Sequence, residues 1–254
     1  MLNSVKELRG YKILANDGEI GKVYDLYFDD KNWIVRYLVV DTGGWLSDRK
    51  VLISPIALEQ PNWEDQVLPV NLTKEQVENS PGTDVERPVS RQHEIRLHKY
   101  YNWPYYWATA GTAGTGTNIV PPPRIPEEPE EFVEEAELEE DADPHLRSTR
   151  EVESYRIQAS DSEIGHVEDF IIDDEHWILR YIVVDTRNWL PGRKVLVAPP
   201  WIEEIVWAEA NVFVDLPRDH IQNAPEYDPS APIDREYEDR LYDYYDRQKY
   251  WQSS

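Results

Sequence analysis

Six carboxylates recur along the chain at a constant spacing of 144 residues. Carboxylates held in pairs can act as general acid and base, or they can bind a hard cation such as calcium. Most of these acids lie in or beside predicted hairpin turns, where a short acidic side chain accepts hydrogen bonds from backbone amides, so we expect a structural role for them. The recurring acids are Asp17, Glu19, Asp25, Asp29, Asp30 and Asp41, with Asp161, Glu163, Asp169, Asp173, Asp174 and Asp185.

Other residue types that carry chemistry do not recur in this way. None of the six histidines has a histidine 144 residues away, which argues against a general base or a metal site shared by two parts of the chain. The sequence contains no cysteine, nucleophile-elbow motif, phosphate-binding loop, dinucleotide fingerprint or twelve-residue calcium loop. We therefore predict a protein that is not an enzyme, with no catalytic residue, no metal and no cofactor. A hydrolase or a small-ligand protein that uses the duplicated acids stays open as an alternative.

The composition limits the kinds of partner that the protein can bind. Its 254 residues include 50 acids and 26 bases, and the resulting net charge of -24 would repel the phosphate backbone of a nucleic acid. Residues 127–143 hold eleven carboxylates and no base, which is typical of a solvated linker. No stretch approaches the roughly 18 apolar residues that are needed to span a bilayer. We predict a cytoplasmic protein with no nucleic-acid partner and no membrane span.

The spacing of the acids belongs to a longer internal repeat. Residues 11–81 align with residues 155–225 without a gap, and 32 of the 71 positions are identical. The register continues into residues 87–107 and 231–251, which are both rich in aromatic side chains. A period of 144 residues is far longer than a solenoid repeat, so each copy is expected to fold as a domain. We predict a tandem duplication whose two copies form an intramolecular pseudo-dimer.

Each copy consists of short runs of Val, Ile, Tyr, Trp and Leu that are interrupted by Asp, Asn, Gly and Pro, a pattern typical of a β-barrel or β-sandwich. Residues 33–42, WIVRYLVVDT, are predicted to form a central strand, on which Arg36 is expected to pair with Asp25 of a neighbouring strand. We expect an all-β fold with small helical additions, among them a capped turn at Thr73 and a short helix at 90–101. The predicted organisation is a barrel at 1–86, an aromatic arm at 87–107, a linker rich in Gly, Pro and acids at 108–148, a second barrel at 149–230 and a second arm at 231–254.

An ordered set of motifs occurs in both copies. In the first copy it reads Ile20-Gly21-x-Val23-x-Asp25, then Asp29-Asp30, Arg36-Tyr37-x-Val39-Val40 and Lys50-Val51-Leu52-Ile53-x-Pro55, and residues 164–199 repeat the order. This set resembles the PRC-barrel family, whose members are small, strongly bent β-barrels in the photosynthetic reaction-centre H subunit and in the ribosome maturation factor RimM. The resemblance implies two tandem PRC-type barrels that act as binding modules, and it transfers no catalytic residue. The chain lacks the membrane helix of the H subunit and the companion domain of RimM, so neither specific role is transferred.

Aromatic arms and one duplicated loop are the candidates for contact with a partner. Aromatic side chains combine a large contact area with a polar tip, which favours interfaces, although the same arms can instead cover the barrels. We predict a scaffold that binds a protein partner of unknown identity, and a higher homo-oligomer is compatible with the sequence. An accessory factor of photosynthetic or membrane electron-transfer complexes stays open as an alternative. The candidate residues are Trp45, Arg49, Lys50, Trp189, Arg193 and Lys194 in the loops and Trp103, Tyr105, Tyr106, Trp107, Tyr244, Tyr245 and Trp251 in the arms.

Overall fold

The protein forms two β-sheets of similar strand order, each accompanied by a few short helices. The expected all-β fold with small helical additions is therefore confirmed. The structure is a computed structural model, and the residues that it describes are 1–46, 49–82, 89–107, 145–186 and 193–252.

The two halves of the described chain, residues 1–107 and 145–252, contain the following elements. The first half has β1 (Leu2–Ser4), α1 (Val5–Leu8), β2 (Lys12–Ala15), β3 (Gly18–Asp29), β4 (Val35–Asp41), β5 (Lys50–Ile53), β6 (Val67–Pro69), α2 (Lys74–Glu78) and α3 (Arg91–Tyr101). The second half has β7 (Leu146–Ser148), α4 (Thr149–Val152), β8 (Arg156–Gln158), β9 (Glu163–Asp173), β10 (Ile178–Asp185), β11 (Lys194–Val197), β12 (Ile202–Val206), β13 (Asn211–Val214), α5 (Arg218–Gln222) and α6 (Arg235–Tyr244).

The strand order is equivalent in the two sheets, except that the second sheet ends with the additional strand β12. The first sheet runs β5-β4-β3-β2-β6, and the second runs β11-β10-β9-β8-β13-β12. The pairs β2–β6 and β8–β13 are parallel, whereas the other strand pairs are antiparallel. The long central strands β3 and β9 are rich in Val, Leu, Ile, Tyr and Phe, and the last five residues of each are buried on both faces.

Bulges bend the central strands at the same places in both sheets. Pairing of β3 with β4 skips Tyr24 and Arg36, and pairing of β9 with β10 skips their equivalents Glu168 and Arg180. An extra residue in one strand increases the local twist and redirects its side chain, so these four side chains leave the regular alternation of the sheet.

The two halves exchange their first segments. Strand β1 pairs with β9 of the second sheet, and β7 pairs with β3 of the first sheet. Leu146–Ser148, at the end of the predicted linker 108–148, is thus a strand of the first sheet and not part of a tether, because its backbone completes the edge of β3. Residues 108–144 of that linker lie outside the described residues. We call Leu2–Leu8 and Leu146–Val152 the exchanged segments.

The sheets also meet at the start of the repeated strand WIVRYLVVDT. Ile34 forms an antiparallel bridge with its own equivalent, Ile178. On either side of this bridge, the Val35 N–H donates to the Trp177 carbonyl and the Leu179 N–H donates to the Trp33 carbonyl, both at 2.8 Å. Both tryptophans adopt a left-handed backbone conformation, so β4 begins two residues after Trp33, where the strand was predicted to start, and β10 begins directly after Trp177.

One continuous apolar core runs through both halves. The Phe28 ring stacks on Trp33 at 5.1 Å and lies 5.9 Å from the Phe170 ring of the other half. The two predicted helical features are confirmed. Thr73 and Gln76 form a capping box before α2, and α3 occupies nearly all of the predicted helix at 90–101.

Candidate functional site

The exchanged segments are held by two buried carboxylates in a reciprocal arrangement. Ser4 Oγ and the Lys6 N–H donate to Asp169, at 2.5 and 3.1 Å. In the same way, Ser148 Oγ and the Arg150 N–H donate to Asp25, the equivalent of Asp169. Burial raises the pKa of Asp169, and the hydroxyl and amide donors oppose this rise. These acids therefore join the two halves.

A second pair of shared acids stabilises turns. The Asn32 N–H donates to Asp29 Oδ1 at 2.8 Å, and the Arg36 guanidinium contacts Oδ2 of the same carboxylate at 2.5 Å. Burial alone would raise the pKa of Asp29, but the Asn32 amide and the Arg36 guanidinium outweigh it and hold the pKa below the ordinary value. The expected Asp25–Arg36 pair is wrong, because the bulge directs Arg36 toward the turn.

Asp173 repeats the arrangement with Arg180, which donates to Oδ2 at 2.9 Å. In the described part of the chain, the side chains of Asp173, Glu175 and His176 lie close enough together to hold a cation. The Arg180 guanidinium contacts the same Oδ2 that faces His176 Nδ1, so positive charge already neutralises this oxygen. The first half has Lys31 and Asn32 at the equivalents of Glu175 and His176, so this group is not shared.

Each half also buries a glutamate among aromatic hydroxyls, and we call these groups the tyrosine–glutamate clusters. In the first, Glu94 accepts hydrogen bonds from Tyr37 at 3.0 Å and Tyr106 at 2.6 Å, and it forms a salt bridge with Arg91 at 2.9 Å. The Tyr37 hydroxyl also lies 2.7 Å from His98 Nε2. Burial raises the pKa of Tyr37 well above its ordinary value and lowers the pKa of His98, so both side chains are held neutral.

The second tyrosine–glutamate cluster keeps the glutamate but replaces the histidine. Glu238 accepts hydrogen bonds from Tyr181 at 2.7 Å and Tyr250 at 2.9 Å, and it pairs with Arg235. Tyr242 stands at the position of His98 and packs edge-on against Tyr181. The clusters fasten α3 and α6 to the sheets of their own halves.

The aromatic arms pack against the protein itself. Trp103 is buried and stacks on Tyr101, while Tyr106 lies under the Arg36 guanidinium at 4.0 Å. In the second arm, Tyr245 is buried against Trp201. The remaining predicted arm residues Tyr105, Trp107, Tyr244 and Trp251 are partly buried, with Trp107 and Trp251 under the guanidinium groups of Arg91 and Arg235.

The structure places the predicted loop cations in different environments. Arg49 donates to the carbonyls of Glu78 and Ser80 at the end of α2, and Arg193 donates to the equivalent Ala224 carbonyl at 2.5 Å. These arginines therefore anchor helices. Lys50 Nζ lies over the Tyr24 ring at 4.6 Å, whereas its equivalent Lys194 forms a salt bridge with Glu168 at 2.8 Å. The Trp45 side chain and all of Trp189 lie outside the described residues.

Sequence reasoning singled out Asp25 and Asp169, but it did not identify the serines that bind them from the other half. Ser4 and Ser148 were available as a signal, because the 144-residue register extends back to Leu2 and Leu146 and keeps both serines identical. A match of short segments at the start of each copy indicates a shared role, but it does not reveal that each segment belongs to the other sheet.

Two small, bent sheets that exchange their first segments define a paired β-module. Residues 2–77 match the PRC-barrel domain, so this part of the chain is a PRC-barrel domain and the predicted family is confirmed there. A comparison with curated proteins found no match. Among the described residues, no helix has the length and apolar character that a membrane crossing requires.

Proposed function

We propose that the protein is a non-enzymatic scaffold that holds two β-modules in a fixed relation and presents their loops to a protein partner. The observation that carries this proposal is the engagement of the polar side chains shared by both halves. Asp25 and Asp169 hold the exchanged segments, Asp29 and Asp173 hold turns and arginines, and Glu94 and Glu238 hold the arms. A general acid or base needs hydrogen-bond access to a substrate, and these internal contacts oppose such access.

The duplicated loops that start at Trp45 and Trp189 are the surfaces that we assign to binding. Arg49 and Arg193 follow these loops in sequence and donate to carbonyls at or after the ends of α2 and α5, so the chain that follows each loop is fixed to a helix. Two equivalent loops on one chain suit a dimeric or repeated target, because the second contact forms at a raised effective concentration. The cytoplasmic location stays a prediction.

Affinity capture with the intact chain and with Trp45→Ala, Trp189→Ala and the double variant tests this assignment. The aromatic arms stay in place, because their removal would uncover apolar core. A captured protein is then titrated against each purified variant. We expect each single substitution to weaken binding at least about tenfold through lost avidity, and the double substitution to abolish it.

Ile56→Ala is the matched control, since Ile56 is an exposed apolar residue outside the two loops. Unchanged binding by the double variant would contradict the loop assignment. Turnover of any substrate that disappears in Asp41→Asn, without a change in the free energy of unfolding, would contradict the non-enzymatic role.

A further inference from the structure

A cavity of 630 Å³ opens beside β3 in the first half. Its walls come from β3, from the end of β4 and from both halves, because Arg150 reaches it from the exchanged segment of the second half. Lys22 and Tyr24 line it from β3, and Gly43 leaves open space at its rim. We call this cavity the cationic pocket.

Lys22 and Arg150, which line the cationic pocket, and the neighbouring Lys50 form no salt bridge with a carboxylate in the described part of the chain. Lys22 is exposed on β3, while Lys50 and Arg150 lie over the Tyr24 ring at 4.6 and 4.2 Å. An aromatic ring positions a cation without cancelling its charge. The Arg150 Nε–H donates to the Tyr24 carbonyl, which leaves its other N–H groups to contact a ligand.

The other charges that line the cationic pocket are already balanced or engaged. Arg9 forms a salt bridge with Glu153 at 2.6 Å, and Glu19 pairs with Lys12 at 3.3 Å. Asp41 accepts a hydrogen bond from the Gly43 N–H at 2.9 Å. The Asp41 carboxylate keeps its negative charge, so Lys22, Arg150 and the neighbouring Lys50 leave a local excess of positive charge, although the whole chain carries a net charge of -24.

The equivalent place in the second half has the opposite character. Glu168 replaces Tyr24 at the same bulge, and it neutralises Lys194, the equivalent of Lys50, at 2.8 Å. His166 replaces Lys22. If the lysine at this strand position had only a structural role, we would expect a carboxylate beside it in both halves. The first half instead places Lys50 against the Tyr24 ring, which leaves the charge of the lysine in place.

We propose that the cationic pocket binds the phosphate group of a small molecule, with Lys22 and Arg150 on its walls as charge partners, Lys50 as a neighbouring cation, and Tyr24 as the platform that positions Lys50 and Arg150. A phosphate group is compact, multiply charged and rich in acceptor oxygens, so it can accept hydrogen bonds from several cations at once. Most of the cavity is left for the organic part of the ligand.

Titration of the full chain with inorganic phosphate, followed by two-dimensional amide NMR at constant ionic strength, tests the proposal. We expect saturable shifts of the Gly10 and Gly43 amides. Tyr24→Glu reproduces the arrangement of the second half and should weaken phosphate binding roughly tenfold or more, since it neutralises Lys50 and Arg150. Tyr24→Phe keeps the ring and should retain the affinity.

Two further variants make the outcome independent of folding defects at Tyr24. Lys22→Gln changes an exposed residue and should also weaken binding, whereas Lys6→Gln, at the position equivalent to Arg150, should leave it unchanged. Shifts that do not saturate, or equal affinity in Tyr24→Glu and the unaltered protein, would overturn the proposal. Binding to vesicles of anionic phospholipid without saturation by free phosphate would overturn it as well.

Discussion

Arg9 and Glu153 occupy the same position in the two halves of the chain, and their side chains form a salt bridge of 2.6 Å with each other. A position can contact its own equivalent only where an approximate twofold axis passes between the copies, as it also does between Ile34 and Ile178. Two identical halves would place like charges together at this position. The opposite charges therefore favour association of the first half with the second half over association of two copies of the same half.

The first prediction concerns this salt bridge. Glu153→Arg should lower the free energy of unfolding by about 3 kcal/mol, because it brings a second guanidinium against the largely buried Arg9. Urea denaturation measures the change. Glu153→Gln is the control and should cost clearly less, since it removes the attraction without adding repulsion. Equal losses in the two variants would show that like-charge repulsion is unimportant at this position.

The second prediction concerns the association of the halves. A protease site introduced within residues 108–144 should allow cleavage without separation, because each sheet contains a strand from the other half. The two fragments should elute together in size-exclusion chromatography and separate only in denaturant. Fragments that separate in native buffer would contradict the exchange.

The third prediction concerns the two serines that anchor the exchanged segments. Ser4→Ala and Ser148→Ala should each cost roughly 2 kcal/mol, since each removes a hydrogen bond to a buried carboxylate together with a helix N-cap. Chemical denaturation compares both variants with Ser230→Ala, whose hydroxyl contacts only an exposed aspartate. A loss confined to one of the two serines would show that the reciprocal contacts differ in strength.

The fourth prediction concerns a glycine in each sheet that lies against the backbone of a neighbouring strand. A Cβ at Gly21 would lie 2.2 Å from the Asp41 carbonyl oxygen, and one at Gly165 would lie 2.0 Å from that of Asp185. Both glycines also have positive φ angles, so Gly21→Ala and Gly165→Ala should each cost more than about 4 kcal/mol or prevent folding. Gly44→Ala is the matched control, because a Cβ there meets no atom within 4 Å. Thermal melts that shift equally for Gly21→Ala and Gly44→Ala would contradict the steric argument.

The strands, the turns and the family could be predicted from the sequence because they depend on local patterns. Runs of β-branched and aromatic residues mark β3 and β4, and Asp29 stands where a turn needs an acceptor. The exchange of β1 and β7 could not be predicted, because an alternating pattern does not specify which sheet a short strand joins. The predicted partner of Arg36 was wrong for a related reason. A bulge shifts the register by one residue at Arg36, and no sequence pattern indicates where this bulge lies.

The cationic pocket likewise depends on residues that are far apart in the chain. Tyr24 and Arg150 meet only through the exchange of segments, so neither residue stands out in a one-dimensional comparison. The difference between Tyr24 and Glu168 is visible in the aligned copies, but its meaning needs the contact between Glu168 and Lys194.

The fifth prediction concerns the pH dependence of stability. The folded-state pKa of His98 lies below the ordinary value of 6.5, because burial disfavours the charged ring despite the nearby Glu94. Between pH 6.5 and the lower folded-state pKa, the unfolded chain binds a proton that the folded protein does not. The contribution of His98 to the free energy of unfolding is therefore fully present above pH 6.5 and falls as the pH decreases toward the folded-state pKa. Urea unfolding at about pH 7.5 and about pH 5.5 should show this loss.

His98→Gln should reduce the loss between these two pH values. Tyr37, Glu94 and Arg91 face the histidine and stay in place in this variant. Part of the loss should remain, since burial and Arg96 lower the pKa of His93 and give the same sign. An identical pH dependence in the variant and the unaltered protein would show that His98 does not contribute.

The pairing of Leu146–Ser148 with the edge of β3 sets the order of events on the ribosome. When the first hundred residues have left the exit tunnel, the strand that completes their sheet has not yet been translated, and β1 has no partner until residues near Asp173 emerge. The nascent first half therefore exposes an unpaired strand edge during this interval, the situation in which chaperones protect a chain from aggregation. Maturation should consequently depend on completion of the whole polypeptide, and the two modules should reach their native state together.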